Sequence, residues 1–150
     1  MIDYPIEDLI KHRRGMLLVD RLVSYDVSGV VVEVVLKEDA SFLNEDYVPA
    51  WVGIEYAAQA VAAWAGLQAI QGDKEAKIGL LLSCRRYKST RPRFMLGEVL
   101  NVHAREEFSD GQMGTYSCSI YDEAGEEIVT VSLNAFVPEN LEEIKGIAVW

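Results

Sequence analysis

Glu55 is the residue of this sequence best placed for acid–base chemistry. It stands in the apolar stretch WVGIEYAAQ, and Gln59 follows one helical turn later on the same face. Backbone N–H groups and the dipole at a helix N-terminus favour a negative charge, and they can also bind a carbonyl oxygen. A carboxyl group among apolar side chains is suited to general acid catalysis. The alternative, an ordinary first-turn glutamate that helps the helix to start, remains open at this point.

The histidines and cysteines offer fewer sites for chemistry. His103 lies in the strand-like segment LNVHA, on the face opposite Leu100 and Val102, so we expect it at the surface. Cys84 and Cys118 are far apart and lack a C-x-x-C pattern, which indicates neither a zinc site nor a redox pair. We therefore expect no metal site and two reduced, buried thiols.

A long buried helix is predicted to carry Glu55. Residues 51 to about 71 are rich in alanine, contain no proline and are apolar almost all the way round, which is typical of a helix enclosed by the rest of its domain. Gly72 and Asp73 are expected to end it. We expect its large and small apolar residues to form the core: Trp51, Trp64, Ala57, Ala58, Ala60, Ala62, Ala63 and Ala65.

Strand patterns precede and follow this helix. Val- and Leu-rich or alternating segments predict two strands before it and four after it: Met16–Ser24, Val30–Lys37, Lys77–Tyr87, Glu98–Phe108, Gly114–Asp122 and Glu127–Val137. Turn residues Asp110-Gly111 and Glu123-Ala124-Gly125 stand where hairpins are needed. The pattern predicts an α+β fold, with an antiparallel sheet around one central helix, in a single domain over residues 1–150.

The net charge of −10 is distributed unevenly. Residues 106–150 hold ten acids and one base, whereas the first 105 residues are almost neutral. This composition disfavours a nucleic-acid binder, since phosphate contacts need clustered Lys and Arg. No uncharged run reaches the roughly 18 to 20 apolar residues of a membrane span. Because residues 1–8 carry three acids and no basic segment, we expect no signal peptide and a cytoplasmic location.

Three segments together resemble a known family. Residues 48–59, VPAWVGIEYAAQ, resemble the M-P-G-x-x-x-x-E-x-x-A-Q segment that opens the central helix of hot-dog-fold 3-hydroxyacyl-[acyl carrier protein] dehydratases. Residues 11–21, KHRRGMLLVDR, resemble that family's H-R-x-P-x-L-L-V-D-R. Residues 83–98 resemble its basic strand after the helix, and the C-terminal strands fit in number. The subgroup with the most similar helix start is the dehydratase-like proteins of aryl polyene pathways.

The resemblance implies roles for several residues. Glu55 matches the acid that protonates the leaving hydroxyl, and Ala50 matches the glycine whose N–H helps to hold the thioester carbonyl. The position of the catalytic histidine holds Ser41, which is a poor base near pH 7. His12 is the available substitute, although it matches a family histidine outside the catalytic pair. Further substrate-binding positions implied by the same segment are Trp51, Gly53 and Gln59.

The absent histidine leaves three functions open. The chain is either a dehydratase of fatty acid or polyene biosynthesis, or a non-catalytic or half-catalytic subunit that pairs with a histidine-bearing hot-dog paralogue, or an acyl-thioester hydrolase. Whether it is an active hydro-lyase is therefore uncertain from the sequence. The resemblance implies a homodimer or heterodimer. It also implies no cofactor other than the phosphopantetheine that carries the substrate on an acyl carrier protein.

Basic residues suggest where such a carrier would bind. Five of the 14 bases fall within nine residues, at Arg85, Arg86, Lys88, Arg91 and Arg93, and three more lie at Lys11, Arg13 and Arg14. They form either a solvated strand end or a docking surface for the acidic carrier protein.

Overall fold

The computed structural model describes residues 3–11, 13–72, 80–110 and 112–136. Two helices and eight strands are present in these ranges, and two 3-10 turns, Arg14–Met16 and Ala50–Val52, precede strand β1 and helix α2. The elements in chain order are α1 Ile6–Leu9, β1 Arg21–Tyr25, β2 Gly29–Val35, β3 Tyr47–Pro49, α2 Gly53–Gln71, β4 Leu80–Ser89, β5 Arg93–Met95, β6 Val99–Ser109, β7 Met113–Tyr121 and β8 Glu127–Phe136.

Six strands form one antiparallel sheet in the order β1-β2-β6-β7-β8-β4. Each neighbouring pair is antiparallel, and β4, the strand that follows the long helix, forms one edge of the sheet. Alternate residues of β6, β7 and β8 are buried, so one sheet face covers α2 and the other faces solvent. This arrangement is the antiparallel sheet around one long helix that the sequence predicts.

Helix α2 is largely buried because its small residues allow close packing. Ala57, Ala60 and Ala63 have no exposed surface, and Trp64 is buried as well. Gly66 is required by α1, since a Cβ at this position would lie 1.8 Å from the carbonyl oxygen of Leu9. The helix ends at Gln71 and is followed by Gly72, as expected.

The first strand is shorter than the sequence pattern predicts. We expected a strand over Met16–Ser24, but β1 begins at Arg21. The backbone before it is bound by the side chain of Gln59, which accepts from the N–H of Leu18 at 2.8 Å and donates to the carbonyl of Met16 at 2.6 Å. These backbone groups therefore cannot pair in the sheet at the same time.

The two cysteines differ in environment. Cys118 is buried in β7, and burial raises the pKa of its thiol to about 12, with a smaller effect of Cys84. Cys84 is exposed because it lies on β4 at the edge of the sheet, so the expectation that both thiols are buried is wrong for this residue. Burial also raises the pKa of Cys84.

Candidate functional site

The start of α2 is positioned by a small second sheet. Strand β3 leads directly into the 3-10 turn Ala50–Val52 and then into α2, and β3 pairs with β5, with Val48 opposite Phe94. Both of these side chains have no exposed surface. Glu55 lies in the first turn of α2 and is partly buried, between the buried residues Gly53 and Tyr56. The helix start thus presents one carboxylate on a rigid, largely apolar base.

The backbone of Ala50 is already engaged in hydrogen bonds. Its N–H donates to the carbonyl of Pro92 at 3.0 Å, and its carbonyl accepts from the hydroxyl of Tyr87. The resemblance implies that this N–H helps to hold a thioester carbonyl. In this structure the N–H donates to the Pro92 carbonyl instead, so it is not available for that role.

Tyr87 is a residue of this region that the sequence did not single out. Its hydroxyl contacts the helix start, and a Cβ at Gly53 would lie only 2.8 Å from that oxygen. Gly53 therefore allows close packing against Tyr87. This packing explains why the position holds glycine, and no contact with a substrate is needed to explain it. Burial raises the pKa of Tyr87 to about 12, and Cys84 adds to the shift. The sequence feature that could have drawn attention to Tyr87 is its position within a run of basic residues.

Gln59 is a structural link between the helix and the N-terminal segment. It is 1 % exposed, and its amide bonds the backbone of Met16 and Leu18 as described above. Both ends of the amide are thus used within the chain. The substrate-binding role that the resemblance implies for Gln59 would have to compete with these two hydrogen bonds.

The loop that carries Ser41 packs near the helix start. The Ser41 hydroxyl donates to the carbonyl of Gly15, so its proton is directed to a backbone acceptor. The next residue, Phe42, has φ of 68° and meets Trp51 edge-on, with the ring centroids 6.0 Å apart. Trp51 is 59 % exposed, because it precedes the helix and points away from the core. Our expectation that Trp51 belongs to the core is wrong.

A cleft of about 240 Å³ opens beside this loop. Ser41 and Tyr56 both line it, together with Asp20 and Lys37, which form an ion pair at 3.1 Å. The hydrogen bond that Lys37 donates to Asp20 raises the pKa of Lys37. Burial, and secondly the charge of Asp20, raises the pKa of Tyr56. The cleft thus connects the Ser41 loop to the residue that follows Glu55.

Of the two histidines, the structure describes His103, and this residue does not line the cleft. His12 lies outside the described residues, so its predicted role as a substitute base stays a prediction. His103 is exposed on the solvent face of β6, with its ring 4.6 Å from that of Tyr121, as expected. Burial by its neighbours, with Arg105 as a second cause, lowers the pKa of His103.

One family model matches almost the whole chain. The model of the ApeP-like family, described as ApeP dehydratase, matches residues 4–146. The chain belongs to the ApeP-like family. This match confirms the resemblance to the aryl polyene dehydratase-like subgroup. A comparison with curated protein sequences gives no significant match.

Solved structures confirm the hot-dog fold. The dehydratase heterocomplex ApeI:P from Xenorhabdus doucetiae contains a chain that is 26% identical, with a TM-score of 0.88, covering 95% of this chain and 96% of that one. The PaaI protein of E. coli is 18% identical with a TM-score of 0.60, covering 77% and 80%. A hypothetical thioesterase protein from Streptococcus pneumoniae, solved with coenzyme A, is 16% identical with a TM-score of 0.58, covering 79% and 84%. At these identities the latter two share the fold only.

The basic residues of this family member divide into two groups. Arg91 is partly buried and forms a two-pronged ion pair with Glu98 at 3.0 and 2.8 Å, and Arg93 lies 4.3 Å from the ring centroid of Tyr47. The second group is exposed and takes no part in the ion pairs of the described residues; it consists of Arg85, Arg86 and Lys88. Of the second basic stretch, Lys11 is exposed, Arg13 donates to the carbonyls of Ile10 and Glu7, and the Arg14 side chain is not described.

Over the described ranges, no group of three or more His, Cys, Asp or Glu side chains is placed to hold a metal ion. No helix in those ranges is long and apolar enough to cross a membrane.

Proposed function

We propose that this chain is a subunit of a 3-hydroxyacyl-[acyl carrier protein] dehydratase, supplies Glu55 as the acid and depends on a partner hot-dog protein for the base. In this reaction a base removes the proton α to the thioester carbonyl. The bond between the β-carbon and its hydroxyl breaks, and an acid protonates the leaving oxygen to give water and an enoyl thioester. The first step requires a base, and the last requires an acid such as Glu55.

The observation that carries this proposal is the environment of Ser41. At the position where the resemblance expects a histidine, the hydroxyl of this serine donates to the Gly15 carbonyl, and no described histidine lines the cleft. A serine whose hydroxyl donates to a backbone carbonyl, with no activating group among the described residues, is a poor base. The acid of the pair is present in this chain, so the missing component is best supplied by another chain. The family relative solved as a dehydratase heterocomplex supports this arrangement.

The edge strand β4 supports a partner on this side of the fold. Among the described strands it pairs only with β8, and Leu82 on this strand is 51% exposed. An edge strand presents unpaired backbone N–H and C=O groups, which another chain can bind by extending the sheet. Since Tyr87 of β4 contacts Ala50 in the turn that precedes α2, a partner bound to this edge would lie beside the helix start that carries Glu55.

Co-expression is the experiment that tests the proposal. The chain alone and the chain with a histidine-bearing hot-dog partner are assayed for water loss from a 3-hydroxyacyl-carrier substrate. We expect activity of the pair and little of the chain alone. Glu55→Gln in the pair is expected to lower kcat by about 10²–10⁴-fold, whereas Glu38→Gln, an exposed carboxylate outside the site, is expected to leave it unchanged.

Three results would contradict the proposal. Full activity of the purified chain alone would show that it carries its own base. Unchanged activity of the pair with Glu55→Gln would show that Glu55 is not the acid. Release of the free acyl chain instead of an enoyl thioester would show that the protein hydrolyses the thioester. Thioester hydrolysis is another function that the sequence left open.

A further inference from the structure

The solvent face of the sheet carries two adjacent rows of hydroxyl side chains. Ser117 of β7 pairs with Ser132 of β8, and Ser119 pairs with Thr130. Their neighbours Cys118 and Val131 are buried on the opposite face, so the four hydroxyls point away from α2. Thr130 in turn pairs with Lys88 of β4, which places a cation at the end of its row.

An irregularity in β4 brings a second cation to these hydroxyls. The pairing of β4 with β8 shifts between Arg85 and Lys88, and Arg86 within this bulge has φ of 55°. A pocket of about 270 Å³ results, and both cations line it together with the four hydroxyl residues. A bulge commonly redirects a side chain, and here it brings Arg86 to the same pocket as Lys88.

No carboxylate lines this pocket, although the protein is acidic overall. The ion pairs among the described residues are Arg21–Glu33, Lys37–Asp20 and Arg91–Glu98, and none of them uses Arg86 or Lys88. A protein of net charge −10 thus keeps two neighbouring cations unneutralised beside a hydroxyl surface. Such an arrangement attracts a small anion.

We propose that this pocket, which we name the outer-face pocket, binds the phosphate group of a phosphate ester. Arginine, lysine and serine or threonine hydroxyls are the side chains that bind phosphate oxygens in proteins. The volume is below the roughly 300–1,000 Å³ of pockets for whole organic ligands, so the pocket holds the phosphate while the rest of the ester stays outside. The pocket lies across the sheet from α2, and binding there does not require that the chain be a dehydratase.

Backbone amide NMR of the full-length chain tests this site with inorganic phosphate as the probe. We expect saturable shifts at Ser117, Ser119, Thr130 and Ser132 with phosphate, and none with chloride at the same ionic strength. Arg86→Gln with Lys88→Gln is expected to weaken phosphate binding by at least about tenfold, because charge-assisted hydrogen bonds are lost. Lys11→Gln with Arg21→Gln removes the same total charge at exposed positions outside the pocket, and binding is expected to stay within about twofold.

Three results would overturn the proposal: shifts that do not saturate, shifts that chloride reproduces, or an effect of the control variant at Lys11 and Arg21 as large as that of the variant at Arg86 and Lys88. Thr130→Val provides a second test that leaves every charge in place, and unchanged affinity in this variant would also contradict it. Pantetheine 4′-phosphate and a carrier protein bearing the same arm then distinguish a free phosphate ester from a carrier-borne one. If the carrier protein binds without shifting these four amide signals, the pocket is assigned to the free ester. This result does not depend on the outcome of the dehydratase assay.

Discussion

Tyr87 joins the sheet to the helix start through a single hydrogen bond. Its hydroxyl donates to the Ala50 carbonyl, which also accepts from the N–H of Gly53. Tyr87→Phe removes one of the two donors and is expected to lower the free energy of unfolding by about 0.5–1.5 kcal/mol. Urea denaturation measures this. Tyr121→Phe is the matched control, because its hydroxyl bonds the exposed Glu127 at the surface, and an equal loss there would contradict the assigned role.

Gln59 offers a test between a structural and a substrate-binding role. Gln59→Met keeps the length of the side chain but leaves the Leu18 N–H and the Met16 carbonyl without their partner. We expect a loss of about 1–3 kcal/mol in unfolding free energy. Gln68→Met, at an exposed position of the same helix, is expected to have little effect. A Gln59 variant of normal stability with a raised KM would instead assign this residue to the substrate.

At the scale of elements, the long helix and the large sheet could be predicted because their signals extend over many residues. Ala-rich composition without proline predicts a buried helix over 51 to about 71, and the structure has α2 over Gly53–Gln71. The three-residue strands β3 and β5 could not be predicted, since three residues show no periodicity and pair only in the folded chain. The bulge at Arg86 likewise depends on its partner strand.

Gly66 shows how closely α1 packs on α2. Alanine is the better helix former by about 1 kcal/mol, so Gly66→Ala would stabilise an isolated helix. Here the new methyl group meets the Leu9 backbone, which a side-chain movement cannot relieve. We expect a net loss of about 1–3 kcal/mol in a denaturation experiment. Gly72→Ala is the control, since its Cβ would lie 3.4 Å from the nearest atom, and a gain in stability at Gly66 would contradict the packing.

The turn between β5 and β6 is expected to respond to acid through Glu98. Burial opposes its ionisation, but the hydrogen bonds from Arg91 and the Met95 N–H outweigh it and lower the pKa of Glu98 below its usual 4.5. The stabilisation is therefore present above about pH 4.5 and is lost as the pH falls through the folded-state pKa. Glu98→Gln should flatten this part of a Tm–pH curve. An unchanged slope below pH 4.5 would contradict the assignment.

At the scale of the whole molecule, the site could be predicted only in part because a reaction centre can be shared between chains. The sequence identified Glu55 and the replacement at Ser41, since both are read from one chain. It did not reveal that Pro92 occupies the Ala50 N–H or that Tyr87 contacts the helix start, because these contacts join residues 37 to 42 positions apart. The base, in our proposal, belongs to a different sequence altogether.

The uneven charge of the molecule bears on carrier docking. The total of −10 repels an acidic carrier, yet Arg85 and its neighbours on β4 form a local basic surface, while Arg91 is engaged by Glu98. Charge reversal at Arg85 is therefore a more direct test than at Arg91, where it would also break a structural ion pair. We expect Arg85→Glu to weaken carrier binding, mainly through the association rate and most strongly at low salt.

The matched control for this test is Arg105→Glu, which makes the same charge change on β6, three strands away from β4 in the sheet, at an exposed residue outside the ion pairs of the described residues. Association rates of both variants with the carrier protein are measured at several salt concentrations. A local docking surface predicts a decrease for Arg85→Glu that salt above about 0.5 M abolishes, and a much smaller one for Arg105→Glu. Equal decreases would show that only the total charge matters, and the docking surface on β4 would then be rejected.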